Sequence, residues 1–271
     1  MTGGQGPSWS APRDLRPVNW RGFWTLYRRA ALRYLRSLPE DVGGPLVSSM
    51  LFLIVFSMAW GAAGGEPIRG VDPVTFIAPG IAAYALFHGA FENSAFPTIH
   101  DKLEGIVQDV LGAPLTPLEM VAGYVLPAAT GGLVTGAIIL GVMRIFVEIP
   151  LAAPLYVLGF GVLGAMLFAF LGFLAGLWAR KWDRYSVVDT FLILPLGLLS
   201  GTFFPLAALP EMGQSLILAN PVFYAVDGFR AGFLGQPQAP LLAGAAVLLG
   251  LCALLAMTSW ILVARGYRLK P

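Results

Sequence analysis

The chain has 271 residues, of which 57% are hydrophobic and 12% charged, with a mean hydropathy of +0.74. A soluble domain carries about 25% charged residues, so 17 basic and 15 acidic side chains cannot keep a globular surface of this size wet. A soluble enzyme, a secreted disulfide scaffold and a disordered chain are excluded together, and a net charge of +2 gives no reason to expect nucleic acid as a partner.

The first 41 residues hold seven arginines and no apolar core beside a cleavage site, so the first membrane span is expected to act as an uncleaved insertion signal. Within them, residues 20–38 place Trp20, Phe23, Trp24, Tyr27, Ala31, Tyr34, Leu35 and Leu38 on one helical face. Arg21, Arg28, Arg29, Arg33 and Arg36 fall opposite. This pattern predicts an amphipathic helix lying in the membrane interface. Pro39 is expected to stop it before the chain turns into the membrane.

Six uncharged stretches follow: 42–65, 73–91, 120–143, 149–179, 190–210 and 231–264. Each reaches the roughly 20 residues that a helix needs to cross about 30 Å of hydrocarbon. An all-α integral membrane protein with six transmembrane helices is expected. A domain of spans over 42–264 would then lie between a cytoplasmic N-terminal segment (1–41) and a cytoplasmic tail (265–271).

An even number of spans puts both termini on one side. Fourteen of the lysines and arginines fall on that side, against Arg69, Arg144 and Arg230 on the other. Positive charge collects on the cytoplasmic side, so both termini are expected there.

Between spans 2 and 3, residues 97–117 form the longest inward loop. Leu103, Ile106, Val107, Val110 and Leu111 repeat with helical period among Asp101, Lys102, Glu104, Gln108 and Asp109. A short amphipathic helix ending at Gly112 is expected, followed by Pro114 and Pro117. It reads equally as a connector packed on the bilayer or as a docking element for a cytoplasmic partner.

The outward segment 203–235 alternates apolar runs with Pro205, Pro210 and Pro221. It is too apolar for a free loop and too broken for a straight span, so a re-entrant pair of short helices before span 6 is expected. Asp227 and Arg230 lie at i, i+3 near its end and are expected to form a structural salt bridge.

Catalytic patterns are scarce. There are two histidines, His88 and His100, and no His/Cys/Asp cluster with metal-ligand spacing, and no Gly-x-Ser-x-Gly occurs. His88 sits inside span 2 without an obvious partner, and Glu92 and Asp189 are expected at cytoplasmic ends of spans, reaching the headgroups. No Gly-Lys dipeptide exists, so there is no phosphate-cradling Walker A loop. Cys252 stands alone in an apolar run. The pairs Gly132/Gly136, Gly172/Gly176 and Gly197/Gly201 allow close helix contact without specifying any interface.

Three stretches carry a resemblance. Phe76-Ile-Ala-Pro-Gly-Ile81 is followed by Phe91-Glu92, Leu199-Ser-Gly-Thr-Phe-Phe-Pro205 by Leu209-Pro210, and Asn220-Pro-Val-Phe-Tyr-Ala-Val-Asp-Gly-Phe-Arg230 leads into span 6. In this order and frame the chain resembles the permease subunits of ABC-2 type exporters, a group that includes nodulation-factor, capsule and O-antigen polysaccharide exporters and some drug exporters. Within that group it resembles the nodulation-type branch, through the Phe91-Glu92 and Ser200-Gly201 contexts.

The resemblance implies a bacterial inner-membrane exporter of two permease chains, a homodimer, and two chains of a separate ATPase. The N-terminal helix and the 101–117 loop, with Asp101, Lys102, Glu104, Val107, Asp109 and Leu111, would contact that ATPase. It implies no cofactor and no enzymatic activity on this chain. A lipid-linked saccharide is the expected cargo, with a lipid or hydrophobic drug next. Two other classes compete: a membrane enzyme acting on lipid-linked substrates, which needs a buried acid, base or metal cluster, and an ion-driven carrier, which favours paired intramembrane carboxylates and internal repeats.

Overall fold

A computed structural model describes residues 19–62, 64 and 66–268. Among these the chain is helical and contains no strand. Arg13, Arg16 and Lys270, which belong to the expected inner charge cluster, lie outside the described residues.

The first helix, α1 (Trp20–Ala62), corrects the expectation of a separate interfacial helix. It passes through Pro39 and Pro45 without ending, so the expected boundary at residues 41 and 42 falls inside one helix. A proline removes one backbone donor and costs about 3 kcal/mol in a helix interior. Packing on both sides outweighs that local loss, because Leu26 and Tyr34 are buried before Pro39 while Val42, Ser49 and Leu53 are buried after it. Trp20 and Trp24 remain 70% and 60% exposed, so the aromatic edge is free to meet lipid headgroups.

Helix α2 (Pro73–Leu103) starts on the Asp72 side chain, which accepts from the Val74 and Thr75 amides, with Pro73 in the first helical position. It runs through Pro97 instead of ending near Phe91, so 97–103 is helix and not loop. The last turn ends at Glu104 and Gly105, where a φ of +75° suits glycine. Helix α3 (Ile106–Gly112) follows and stops at the expected glycine. Helix α4 (Pro117–Phe146) opens with a capping box between Thr116 and Glu119, and α5 (Pro154–Trp178) is the next long helix.

Helix α6 (Trp182–Val188) runs through a π-helical turn (Asp189–Ile193) into α7 (Leu194–Leu198). The stretch expected as the fifth span, 190–210, is therefore not one helix. The continuous helical part, 182–198, reaches about 25 Å at 1.5 Å per residue. Beyond it lie Gly201 at φ +69° and the prolines at 205 and 210. Helices α8 (Glu211–Ala219) and α9 (Pro221–Leu234) then meet at Asn220-Pro221, matching the expected pair of short helices. Helix α10 (Leu241–Ala264) begins ten residues later than the uncharged stretch suggested, because Gly235 caps α9 in the left-handed conformation. Among the described residues five helices, α1, α2, α4, α5 and α10, are long and apolar enough to cross a membrane.

The centre of the bundle is α2. Of its most apolar window 78% is buried, against 17% for α1 and 22% for α10. Two of the glycine pairs seen in the sequence make this possible from opposite sides. Gly132 and Gly136 of α4 lie against Leu86 and Ala90, while Gly172 and Gly176 of α5 lie against Phe91, Ala95 and Thr98. A side chain at any of these four would strike backbone or the side chains of α2, so the glycines set the helix spacing.

Candidate functional site

One end of the bundle gathers the start of α1, the ends of α2, α5 and α10, the start of α4, and α3. The Asn19 side chain donates to the Pro114 carbonyl (3.0 Å), and Arg268 donates to the Trp178 carbonyl. Lysines and arginines crowd here. At the other end Thr75 donates to the Glu148 carbonyl and Ala153 to Gly232, and Arg69 reaches the Pro237 carbonyl (3.2 Å). Asn19 and Arg268, the two limits of the described chain, thus share the basic end.

The six residues expected to dock a partner divide into two groups. Asp101 is 2% exposed and turned inward. One Arg29 nitrogen donates to both of its carboxylate oxygens (2.8 and 2.9 Å), and the Tyr124 hydroxyl donates to one of them (2.7 Å). A single carboxylate therefore ties α1, α2 and α4 together.

Lys102 also serves the bundle, donating to the carbonyls of Gly176 (2.9 Å), Leu177 (2.6 Å) and Ala179 (2.7 Å). Those carbonyls have no partner inside α5, and a cation at a helix C-terminus satisfies both their hydrogen bonding and the helix dipole. Val107 is buried with Val110 and seats α3 on the bundle. Glu104, Asp109 and Leu111 are exposed, and they form the free face.

The expected Asp227–Arg230 salt bridge is not formed. Each finds backbone partners instead, although Arg230 bonds through Nη2 alone and leaves its buried Nε and Nη1 without a hydrogen-bond partner. Asp227 accepts from the Gln238 amide (2.9 Å), the Ala239 amide (3.0 Å) and the Gln238 side chain (3.2 Å), which pins the segment before α10. Arg230 is 1% exposed and donates to the carbonyls of Gly201 (2.7 Å) and Thr202 (3.1 Å). Its guanidinium lies 4.1 Å from the centre of the Phe76 ring. Arg230 was expected near the end of an outward re-entrant segment, counted with the outward charges; it is an interior residue.

The three stretches that carried the family resemblance converge on this arginine. A Cβ on Gly80 would lie 2.6 Å from Arg230 and 2.7 Å from the Thr202 carbonyl, so only glycine fits there. Asn220 donates to the carbonyls of Leu196 (2.8 Å) and Leu199 (2.9 Å), holding the end of α7. Ser200 and Thr202 bond each other through their hydroxyls (2.8 Å). The irregular segment after α7 is thus held from α2 and α9 together, which supplies the protein surroundings that non-helical backbone requires at membrane depth.

Two polar features lie deeper than the sequence suggested. A cavity of about 320 Å³ opens between α1, α2 and α4, lined in part by Arg33, Asp41, Glu92 and Asn93. Beside it, His88 places Nε2 3.0 Å from Asp189 and Nδ1 3.6 Å from Glu92. Glu92 and Asp189, expected at span ends, stand within continuous helices, as His88 does inside α2. The partnership of His88 and Asp189 links residues 101 apart in sequence, and only the i, i+4 spacing of His88 and Glu92 was available to signal it.

Long apolar helices packed through glycines, with ionisable side chains joining them at one end, define a polytopic helical membrane protein. Sequence comparison then identifies its kind. A family model described as ABC-2 type transporter matches residues 21–234. The chain is 30% identical over 251 residues to the inner membrane transport permease YadH of Escherichia coli strain K12, covering 93% of this chain and 98% of that protein. It is 27% identical over 227 residues to nodulation protein J of Rhizobium leguminosarum bv. viciae, covering 82% and 85%. Nodulation protein J of Neorhizobium galegae is 26% identical over 223 residues, covering 81% and 83%. This chain belongs to the ABC-2 type transporter family.

Proposed function

We propose that the chain is the permease subunit of an exporter in the bacterial inner membrane, with both termini in the cytoplasm and ATP hydrolysis on a separate subunit. The observation that carries this reading is the divided character of the basic end. Asp101, Lys102 and Val107 face inward and make a stiff joint, while Glu104, Asp109 and Leu111 face outward on the same short segment.

A subunit that grips the outer residues moves α3. The Asp101 and Lys102 contacts pass that movement to α1, α4 and α5 within hydrogen-bond reach. A second copy of the chain would cover the exposed apolar sides of α1 and α10 and complete the path. The family and the name of the YadH relative support transport; the cargo class, a lipid-linked saccharide, a lipid or a drug, follows from the resemblance alone.

Affinity purification of the chain from its native membranes, probed for a Walker A-containing ATPase, tests the reading. Co-purification in equal amounts is expected, and isolation of a transport-competent complex without any ATPase refutes it. The alternative of an ion-driven carrier draws support from the carboxylates on either side of His88. Transport in vesicles that lack ATP but hold an ion gradient would favour that alternative.

A further inference from the structure

The His88 cluster is made of groups that ligate transition metals. His88 and Glu92 come from successive turns of α2, and Asp189 comes from the helix beside it. One donor atom from each lies within 4.8 Å of the others. Ligand atoms around a tetrahedral zinc sit roughly 3.4 Å apart, given bonds of about 2.1 Å; Glu92 now faces Nδ1 and Asp189 faces Nε2, so closing the site requires the His88 ring to turn, or one carboxylate to swing, until both face a single nitrogen.

Asp189 opens the π-helical turn Asp189–Ile193. A π turn inserts one residue into a helix and re-aims the side chains around it, a device concentrated at functional sites. The rings of Tyr84 and Phe91 stand 5.7 and 6.3 Å from the imidazole and close two of its sides. Glu92 also lines the polar cavity, so an ion has a route inward.

Charge balance narrows the ligand. With a neutral imidazole the three side chains carry −2, an expensive charge on and beside the spanning helix α2. One divalent cation cancels it in a single step; protons alone cancel it only if both carboxylates are titrated, or one carboxylate and the imidazole leave a zwitterion. One nitrogen and two oxygen donors with an open fourth position suit zinc and its neighbours, not magnesium, which prefers oxygen and retains water. From these juxtaposed side chains we infer that His88, Glu92 and Asp189 form a site for a divalent transition-metal ion that clips the π-turn helix to α2.

The test uses tag-free protein, purified in detergent and stripped with EDTA. Zinc is titrated by calorimetry, the thermal unfolding is followed with zinc and with magnesium, and cobalt(II) serves as a spectroscopic probe. One equivalent of zinc is expected to bind saturably and to raise the unfolding temperature, while magnesium does neither. His88→Ala is expected to weaken binding at least about tenfold, and His100→Ala, at the only other histidine, is expected to leave it unchanged. Asp189→Asn keeps an oxygen near Nε2 but loses the charge, so it must show the same loss if His88→Ala does not fold. Absence of saturable zinc binding, or equal binding by the wild type and the folded variants, overturns the assignment.

Discussion

Replacing Asp101 by alanine separates the two roles that the basic end combines. The variant removes both bonds from Arg29 and the bond from Tyr124 at a site that is almost fully enclosed. The Tyr124 hydroxyl, on a residue 5% exposed, loses its partner, and an orphaned buried donor costs about 1–3 kcal/mol. The Arg29 side chain is 42% exposed and turns to solvent, so its share is that of a surface pair, about 0–1 kcal/mol. A loss of about 1–4 kcal/mol results.

The assay is reversible unfolding of the detergent-solubilised protein in a double-mutant cycle of Asp101→Ala with Tyr124→Phe. A coupling energy of about 1.5–3 kcal/mol is expected, the range for a hydrogen bond to a charged group. Wild-type stability in Asp101→Ala, or a coupling near zero, would refute the joint. Asp101 would then be an outward residue, as the sequence suggested.

Three further outcomes follow from the packing and the charge pattern. Gly176→Leu drives a side chain into the Ala95 carbonyl, 2.6 Å from the Cβ position, and should cost at least about 1–3 kcal/mol; Gly112→Ala, with open space around it, should unfold like the wild type. Arg230→Met strips two buried carbonyls of their donor and should cost about 2–4 kcal/mol, with new protease cleavage within 199–205 as the readout; an uncleaved, fully stable variant would contradict the hub. In a Cys252→Ser background, single cysteines at Arg69 and Glu148 should react with an impermeant maleimide from outside the cell, and those at Glu104 and Arg184 should not. The reverse pattern would overturn the inner placement of the basic end.

Much of the fold could be read from where charge is missing. The uncharged stretches located α2, α4, α5 and α10, and Gly112 and Asn220-Pro221 marked real breaks. Pro39 misled because a proline's cost is local, while the contacts that carry α1 past it come from residues distant in sequence, such as Thr135 beneath the Tyr34 hydroxyl (3.0 Å). The fifth uncharged stretch misled for the converse reason: length and hydropathy do not register a π turn or a glycine held at φ +69°.

The docking residues were legible as a segment but not as individuals. Helical period assigns a face, whereas Asp101 and Lys102 turned inward because Arg29 and the end of α5 needed partners. Asp227 and Arg230 were expected to pair with each other, yet their partners are mainly backbone groups, which no residue pattern displays.

The measurement closest to the central claim is ATPase capture by a variant whose bundle is intact. Glu104→Lys with Asp109→Lys reverses two exposed charges and touches none of the contacts of Asp101 or Lys102. The double variant is expected to insert and unfold like the wild type but to recover less than about a tenth of the ATPase on co-purification, a loss of at least about 1.4 kcal/mol of binding. Full recovery of the ATPase, with transport unchanged, would contradict docking at the free face of α3.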